Sequence, residues 1–450
     1  MLLSIVAKEV RECVLSLRFA LAFALCLPLL VGSSAVLIGE YGAKRQAYES
    51  ATSFHREQIT SYPSGQMVYL LGHSVDKPPA SLGALVEGAD AYVGSIAFTS
   101  VLSGLEVYGT SAEHDVAGSL FGRIDPAGVI MVVLSLVALL LSYDAVAGER
   151  EGGTLKLCLS NAVPRDVLIA GKYLGRLMVV LAPFCVSFVI AALLMVLSPN
   201  IEMGGADLLR LLLVLVLSVL YISAFVLLGL LVSTRTRQAS SSLMILLLVW
   251  VVLLFGVPRA AWAVASFVRD VPSKQKMFQE QMAALMEVIE EQRKQGAPEG
   301  DPESAEERMI NDILGRRQKV ADYHRRKVVA RNDLARQVSL VSPSAAFLQA
   351  SMALAETDMG RHWRFIDAAR AYDPEFLTYI HRVVSEGTVD RFSMDGGGDW
   401  PLDEMPVFIL PQRGLGESLA GAKFELASLG IWNVLLFLGT WVSFLRAEVA

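Results

Sequence analysis

Six apolar stretches, each about as long as a helix that crosses a lipid bilayer, constrain this chain more than any other feature. They lie at residues 19–38, 126–143, 173–197, 208–232, 240–267 and 425–445. The whole chain is 54% hydrophobic and has a mean hydropathy of +0.48, which exceeds the usual composition of soluble domains. The sequence therefore predicts an α-helical polytopic membrane protein with six transmembrane helices.

The basic residues of the short loops predict the orientation of these helices, because lysine and arginine concentrate in cytoplasmic loops. Residues 144–172 and the turn 233–238 are rich in them, whereas the only charged residues of loop 198–207 are Glu202 and Asp207. Both termini are therefore predicted to lie in the cytoplasm. Pro258 in the fifth stretch predicts a kink or an early end of that helix.

Residues 1–18 show amphipathic helical spacing. Leu3, Val6, Val10, Val14 and Leu17 share one face, and Lys8, Glu9, Arg11 and Glu12 share the other. We predict an interfacial N-terminal helix that leads into the first span; the alternative is a polar start to one long transmembrane helix. A cleaved signal peptide is disfavoured, because acidic residues precede an apolar run that continues to Ile38.

Two long polar segments separate the apolar stretches. The first insert, residues 39–125, predicts a small α+β unit with a β-prone piece at 66–71, and it ends at Asp125 and Pro126, which are typical of a helix start. The second insert, residues 268–424, predicts a helical hairpin with a break at 296–302, followed by further helices. Together they predict a mainly helical extracytoplasmic domain inserted after helices 1 and 5.

Composition and motifs give no indication of catalysis, metal binding or nucleic-acid binding. The net charge is −6, and nucleic-acid binding would need a clustered basic surface. The histidines lack metal-binding spacing, no GxSxG motif occurs, and the cysteines predict no disulfide framework. There is also no GxxxxGK[ST] phosphate loop. We therefore expect no enzymatic activity and no cofactor in this chain.

The coupling turn, residues 144–172, carries the most specific pattern. Three glycines surround an acid-base-acid triplet that cannot lie in hydrocarbon, and a short amphipathic helix is predicted next, from Thr154 to Leu159. Such a helix lies between two spans, so a soluble partner that displaces it would also displace both spans. The alternative is that the triplet only solvates a helix end. The candidate coupling residues are Gly148, Glu149, Arg150, Glu151, Gly152, Gly153, Thr154, Leu155, Leu157 and Leu159.

This pattern resembles the cytoplasmic turn of ABC-2 type transporter permeases. The resemblance rests on residues 148–151, on 153–155 and on the Gly-Lys-Tyr at 171–173, together with the N-terminal helix and the six-span plan. The large inserts, and residues 342–366 in particular, are similar to the subset of that family with a large extracytoplasmic domain.

The resemblance implies a permease subunit in the bacterial cytoplasmic (inner) membrane. Such a subunit pairs with a second permease, identical or related, and binds two separate ABC ATPase subunits that hold ATP and Mg²⁺. The triplet Glu149, Arg150 and Glu151 would contact the ATPase, and the helix after it would transmit the movement. The expected activity is export or membrane translocation of a substrate that the sequence does not identify.

Three alternatives stay open at this point. The first keeps the ATPase but replaces transport with ATP-driven mechanotransmission to an extracytoplasmic partner. The second is a non-transporting membrane scaffold or sensor. The third, an ion-driven carrier, is disfavoured because Arg18 and Arg210 lie at the ends of their spans and not near mid-membrane.

Overall fold

The computed structural model describes residues 1–100, 104–109, 125–160, 164–295, 302–391 and 400–446. The helices of the first half are α1 (Leu2–Val14), α2 (Leu17–Gln58), α3 (Gly65–Leu71), α4 (Pro126–Leu140), α5 (Ala147–Glu151), α6 (Thr154–Ser160), α7 (Arg165–Leu197) and α8 (Gly205–Arg235). Those of the second half are α9 (Ala239–Val268), α10 (Lys274–Gln295), α11 (Pro302–Ser339), α12 (Pro343–Ala355), α13 (Met359–Ser385), α14 (Leu415–Gly421) and α15 (Lys423–Leu445). The strands are β1 (His73–Asp76), β2 (Ile96–Ser100) and β3 (Gly104–Tyr108).

Within the described ranges, five helices are long and apolar enough to cross a bilayer, namely α2, α7, α8, α9 and α15. Each contains one of the predicted apolar stretches. Helix α4 is also apolar but shorter, about 22 Å at 1.5 Å per residue. The predicted caps at its start are confirmed, because the Asp125 carboxylate accepts a hydrogen bond from the Gly128 amide (2.7 Å) and Pro126 opens the helix. The chain is thus an α-helical membrane protein, and the count of six spans stays a prediction.

Helix α8 occupies the centre of the bundle, and its neighbours expose apolar faces. The Tyr221 hydroxyl donates to the Met131 carbonyl (2.7 Å), and the Asn433 amide donates to the Leu220 carbonyl (3.0 Å), so polar contacts join α8 to α4 and α15. Large side chains on the outer faces of α2, α7, α9 and α15 remain exposed, such as Leu21, Val189, Met244, Phe267 and Leu435. An apolar outer surface of this extent is typical of contact with lipid.

The sequence predicted either a kink or an early end of the fifth span at Pro258. Helix α9 does not end there. A wider π-type turn spans Val252–Gly256 immediately before the proline, and the helix then continues to Val268. Such a turn accommodates the hydrogen bond that proline cannot make. The proline therefore changes the local winding of the helix while the apolar helix goes on.

The first insert forms a small antiparallel sheet in the order β1-β2-β3, with Ser74 opposite Phe98 and Phe98 opposite Glu106. The β-prone piece at 66–71 is not a strand, because α3 covers it. Aromatic side chains of α13, including Phe365 and Phe376, pack into a separate core with the sheet. The inserts are thus joined by a shared core.

The second insert begins with the long helices α10 and α11. Arg316 of α11 binds Glu291 of α10 through two nitrogens (2.6 and 3.3 Å), as expected for a hairpin. The predicted break at 296–302 lies outside the described residues up to 301, and α11 begins at Pro302.

Helix α12 lies inside the helix bundle, although its residues belong to the second insert. Its Phe347 is 0% exposed and stacks on Tyr221 with the ring centroids 4.5 Å apart. The Ser342 hydroxyl at its start donates to the Leu253 carbonyl of α9 (2.6 Å). The insert is therefore anchored directly among the apolar helices.

Candidate functional site

The short helix α5 is fastened to the end of α8. The Val146 and Ala147 amides at its start both donate to the Ser233 hydroxyl, at 3.0 and 2.9 Å. These amides have no carbonyl partner within their own helix, so the hydroxyl acts as a cap supplied by a neighbouring helix. This fixes where α5 leaves the bundle.

The three charged side chains of α5 each bind a different long helix. Glu149 forms an ion pair with Lys172 of α7 (2.7 Å). Arg150 donates to the Thr236 and Thr234 carbonyls (2.7 and 3.3 Å) at the end of α8. Glu151 accepts from the Ala239 amide (3.1 Å) at the start of α9. A cation thus meets the negative end of one helix dipole and an anion the positive end of another, which explains the order acid, base, acid.

Lys172 is the centre of a buried ion-pair group. Its ammonium, 1% exposed, lies 2.8 Å from a Glu9 carboxylate oxygen and 2.7 Å from a Glu149 oxygen. Glu9, also buried, is bound in addition by Arg176 (3.3 Å). Buried charges persist where they are paired, and each of these four side chains has an ion-pair partner.

Arg176 continues the group towards α2. It donates to the Leu141 carbonyl (2.7 Å) and lies 3.5 Å from an Asp144 oxygen. Asp144 also accepts from Arg18 near the start of α2, and the Arg18 guanidinium lies 5.0 Å from the centroid of the Tyr143 ring. Charged contacts therefore connect α1, α2, α5 and α7 at one end of the bundle.

Two glycines of α7 let α1 approach closely enough for these contacts. An added Cβ at Gly171 would lie 2.6 Å from Ile5 Cγ2, and one at Gly175 would lie 2.6 Å from Glu9 Cβ. Spacing by four places both glycines on one face of α7, the arrangement by which small residues bring helices together.

Helix α6 lies next to this group and has one buried and one exposed apolar side chain. Leu155 packs with Val146, Leu168, Ile169 and Phe444 in a small separate core. Leu157 is 68% exposed. Gly153, with a φ of +72°, makes the turn between α5 and α6 in a conformation that favours glycine.

The remaining predicted residues lie around this turn. Gly148 is part of α5, Gly152 follows it, and the Thr154 hydroxyl at the start of α6 donates to the Glu149 carbonyl (3.2 Å). The side chain of Leu159 lies outside the described residues.

Sequence reasoning missed three members of the ion-pair group. It assigned Glu9 to the polar face of α1, and it gave no role to Asp144 or Arg176. Two signals were available: Lys172 and Arg176 are four residues apart where the third apolar stretch begins, and a glycine directly precedes each of them. Charges placed this way in an apolar helix indicate partners on an adjacent helix.

Among the described residues, no three histidine, cysteine, aspartate or glutamate side chains form a group that could hold a metal ion. The charged side chains of α5 instead bind groups of α7, α8 and α9. The arrangement is suited to transmitting force between helices.

The fold and this site define a polytopic helical membrane protein with a structured turn at one end of its bundle. The family described as ABC-2 family transporter protein matches residues 3–449, so the chain belongs to that family. Comparison with known proteins shows two further similarities. The probable ABC transporter permease protein NosY of Pseudomonas aeruginosa is 35% identical over 115 residues, which are 24% of this chain and 40% of that protein.

The protein of the same description in Stutzerimonas stutzeri is 37% identical over 79 residues, which are 17% of this chain and 29% of that protein. The matched regions thus span less than half of either relative.

Proposed function

We propose that this chain couples ATP hydrolysis in separate nucleotide-binding subunits to export or membrane translocation of a substrate. In this proposal the chain has six spans, both termini lie in the cytoplasm, and the two inserts lie outside the inner membrane. ATP and Mg²⁺ bind to the partner subunits. Family membership supports the ATPase partner, and the basic residues of the short loops support the orientation.

The proposal rests mainly on the contacts that α5 makes with the long helices and on the exposed surface of α6. The triplet of α5 binds α7, α8 and α9 separately, while α6 beside it exposes Leu157. A force on α6 would therefore reach three long helices through short polar contacts. The triplet, which the sequence analysis assigned to ATPase contact, has partners within this chain; we assign it to positioning α5 and assign the ATPase contact to α6.

The proposed assembly contains two permease chains and two ATPase subunits, as the family resemblance implies. Each coupling turn would then receive one ATPase. Mass spectrometry of the intact complex, purified in mild detergent, tests whether the second permease chain is identical to this one or related to it.

The experiment that tests the coupling site combines co-purification with an ATPase assay. Leu157→Glu places a charge on the exposed face of α6 and should detach the ATPase or abolish ATP hydrolysis in the purified complex. Val407→Glu is the matched control, because Val407 is 66% exposed in the second insert, away from the coupling turn. Normal ATPase binding and hydrolysis by Leu157→Glu would refute the assignment of α6, and a wild-type chain that captures no ATPase would refute the function.

One observation favours mechanotransmission as a second candidate. Helix α2 runs without interruption from Arg18, which binds the coupling turn, to His55 in the first insert. Helix α12 of the second insert lies within the bundle as well. Both inserts would therefore move with the spans. ATP hydrolysis by reconstituted vesicles without flux of any tested substrate, accompanied by a change in distance between the inserts, would favour this function over transport.

A further inference from the structure

A cavity of ≈ 300 Å³ lies among the first insert, the C-terminal half of α2 and the α12–α13 junction. Its wall includes Tyr41 and Tyr48 of α2, Asp76 at the end of β1, and Thr357 between α12 and α13. A volume of this order is the lower end of the range for small-molecule sites. Three separate parts of the chain thus meet around one space, far from the coupling turn in the fold.

Asp76 and Thr357 each place in this wall a buried polar atom that has no hydrogen-bond partner. These atoms are Oδ1 of Asp76 and the hydroxyl oxygen of Thr357, whose residues are 6% and 0% exposed. The other Asp76 oxygen is occupied, because His55 Nδ1 lies 2.8 Å from it. An unpartnered buried carboxylate oxygen is costly for the folded protein, so its presence at a cavity indicates a ligand that donates a hydrogen bond there.

The other charges of the wall are already paired with one another. Lys77 binds Asp90 (2.7 Å) and Lys44 binds Glu87 (2.7 Å). Asp76 is the charged side chain of this lining that has no lysine partner, and its neighbour is the His55 ring. This arrangement disfavours an anionic ligand and favours a cationic one.

The aromatic and hydroxyl groups narrow the class of cation further. Aromatic rings attract organic ammonium groups through their faces, and Tyr41 and Tyr48 both line the cavity. Within the described residues no group of three or more ligating side chains could hold a metal ion. The Thr357 hydroxyl can accept a further hydrogen bond from a ligand in the cavity.

We propose that this cavity binds a small organic molecule with a primary ammonium group, which donates hydrogen bonds to Asp76 and Thr357. The ligand would join the first insert, the second insert and α2 in one set of contacts. The proposal concerns a site separate from the coupling turn and does not depend on the transported substrate.

The test is isothermal titration calorimetry on the full chain purified in detergent. Ethanolamine and 1,4-diaminobutane are the ammonium probes, and propane-1,2-diol and sodium propionate are the neutral and anionic comparators. We expect saturable binding of at least one amine and none of either comparator. Asp76→Asn should weaken amine binding at least about tenfold, since it removes a charge-assisted hydrogen bond.

Two further variants separate binding from folding. Thr357→Val keeps the size of the buried side chain and should weaken amine binding several-fold even if Asp76→Asn does not fold. Asp367→Asn is the matched control, because Asp367 pairs with Arg325 (2.8 Å) on the exposed side of α13 and does not line the cavity; its affinity should stay within about twofold of wild type. Absence of saturable amine binding at millimolar concentration, equal binding of the diol, or wild-type affinity in both cavity variants would overturn the proposal.

Discussion

Replacing Lys172 with methionine should destabilise the protein by about 3 kcal/mol, because it removes the central charge of the buried ion-pair group. Loss of one partner from a buried pair costs about 3–5 kcal/mol. The lower value applies here for two reasons. Glu9 keeps its contact with Arg176 (3.3 Å), and Glu149 is 17% exposed and lies 3.7 Å from Lys8.

A double-mutant cycle isolates the contact between Lys172 and Glu9. Glu9→Gln alone should also cost about 3 kcal/mol, and the double variant should cost about 4 kcal/mol, since the second change removes a charge that has already lost one of its two partners. The coupling energy is then about 2 kcal/mol, within the range for residues of one network.

The assay is equilibrium unfolding by dodecyl sulfate in mixed micelles, followed by circular dichroism. Lys156→Met is the matched control, because Lys156 is an exposed lysine of α6 at the same end of the bundle, and it should change stability by less than about 0.5 kcal/mol. If the stability losses of Lys172→Met and Glu9→Gln sum to that of the double variant within about 0.5 kcal/mol, the two residues are not directly coupled.

Three other predictions concern stability. Gly175→Ala should lower the free energy of unfolding by about 1–3 kcal/mol, because its new Cβ would lie 2.6 Å from a side-chain carbon of α1. Gly430→Ala is the control and should cause no loss of stability, because no atom lies within 4 Å of its new Cβ. Equal losses of stability in the two variants would contradict this. Phe347→Ala should cost about 3–5 kcal/mol and make α12 more sensitive to protease, since it removes a buried ring stacked on Tyr221; a loss below about 1 kcal/mol would show that this ring does not anchor the helix. Burial raises the pKa of Asp125 to about 6 from 3.8. The folded chain therefore binds this proton more tightly, and stability relative to Asp125→Asn should rise as the pH falls from about 7 to 4, by at most about 3 kcal/mol; a difference that does not vary with pH would contradict it.

The membrane helices could be predicted from sequence because span length and hydropathy are local properties. The short helix after the triplet is also specified by its local sequence, and α6 begins at Thr154 as predicted. The polar residues at the start of the first insert also indicated a helix, but the sequence did not show that this helix and the first span form one unbroken helix, α2, up to Gln58.

The buried ion-pair group could not be predicted in the same way. Glu9 lies on the polar side of α1 by its spacing, but its partners Lys172 and Arg176 are 163 and 167 residues away in sequence. Only packing of α1 against α7 brings them together. Burial of α12 had a local signal that was not used, because Pro343–Ala355 contains no charged residue within an otherwise charged insert.

Helix α2 joins the coupling turn and the cavity in one continuous helix. Arg18 at its start binds Asp144, and His55 near its end binds Asp76, about 55 Å away at 1.5 Å per residue. A change in tilt of about 5° would move His55 by about 5 Å, more than the length of a hydrogen bond. Unless the helix bends at Pro28, the only proline within it, a rearrangement at the coupling turn that tilts α2 would also move the α2 residues that line the cavity.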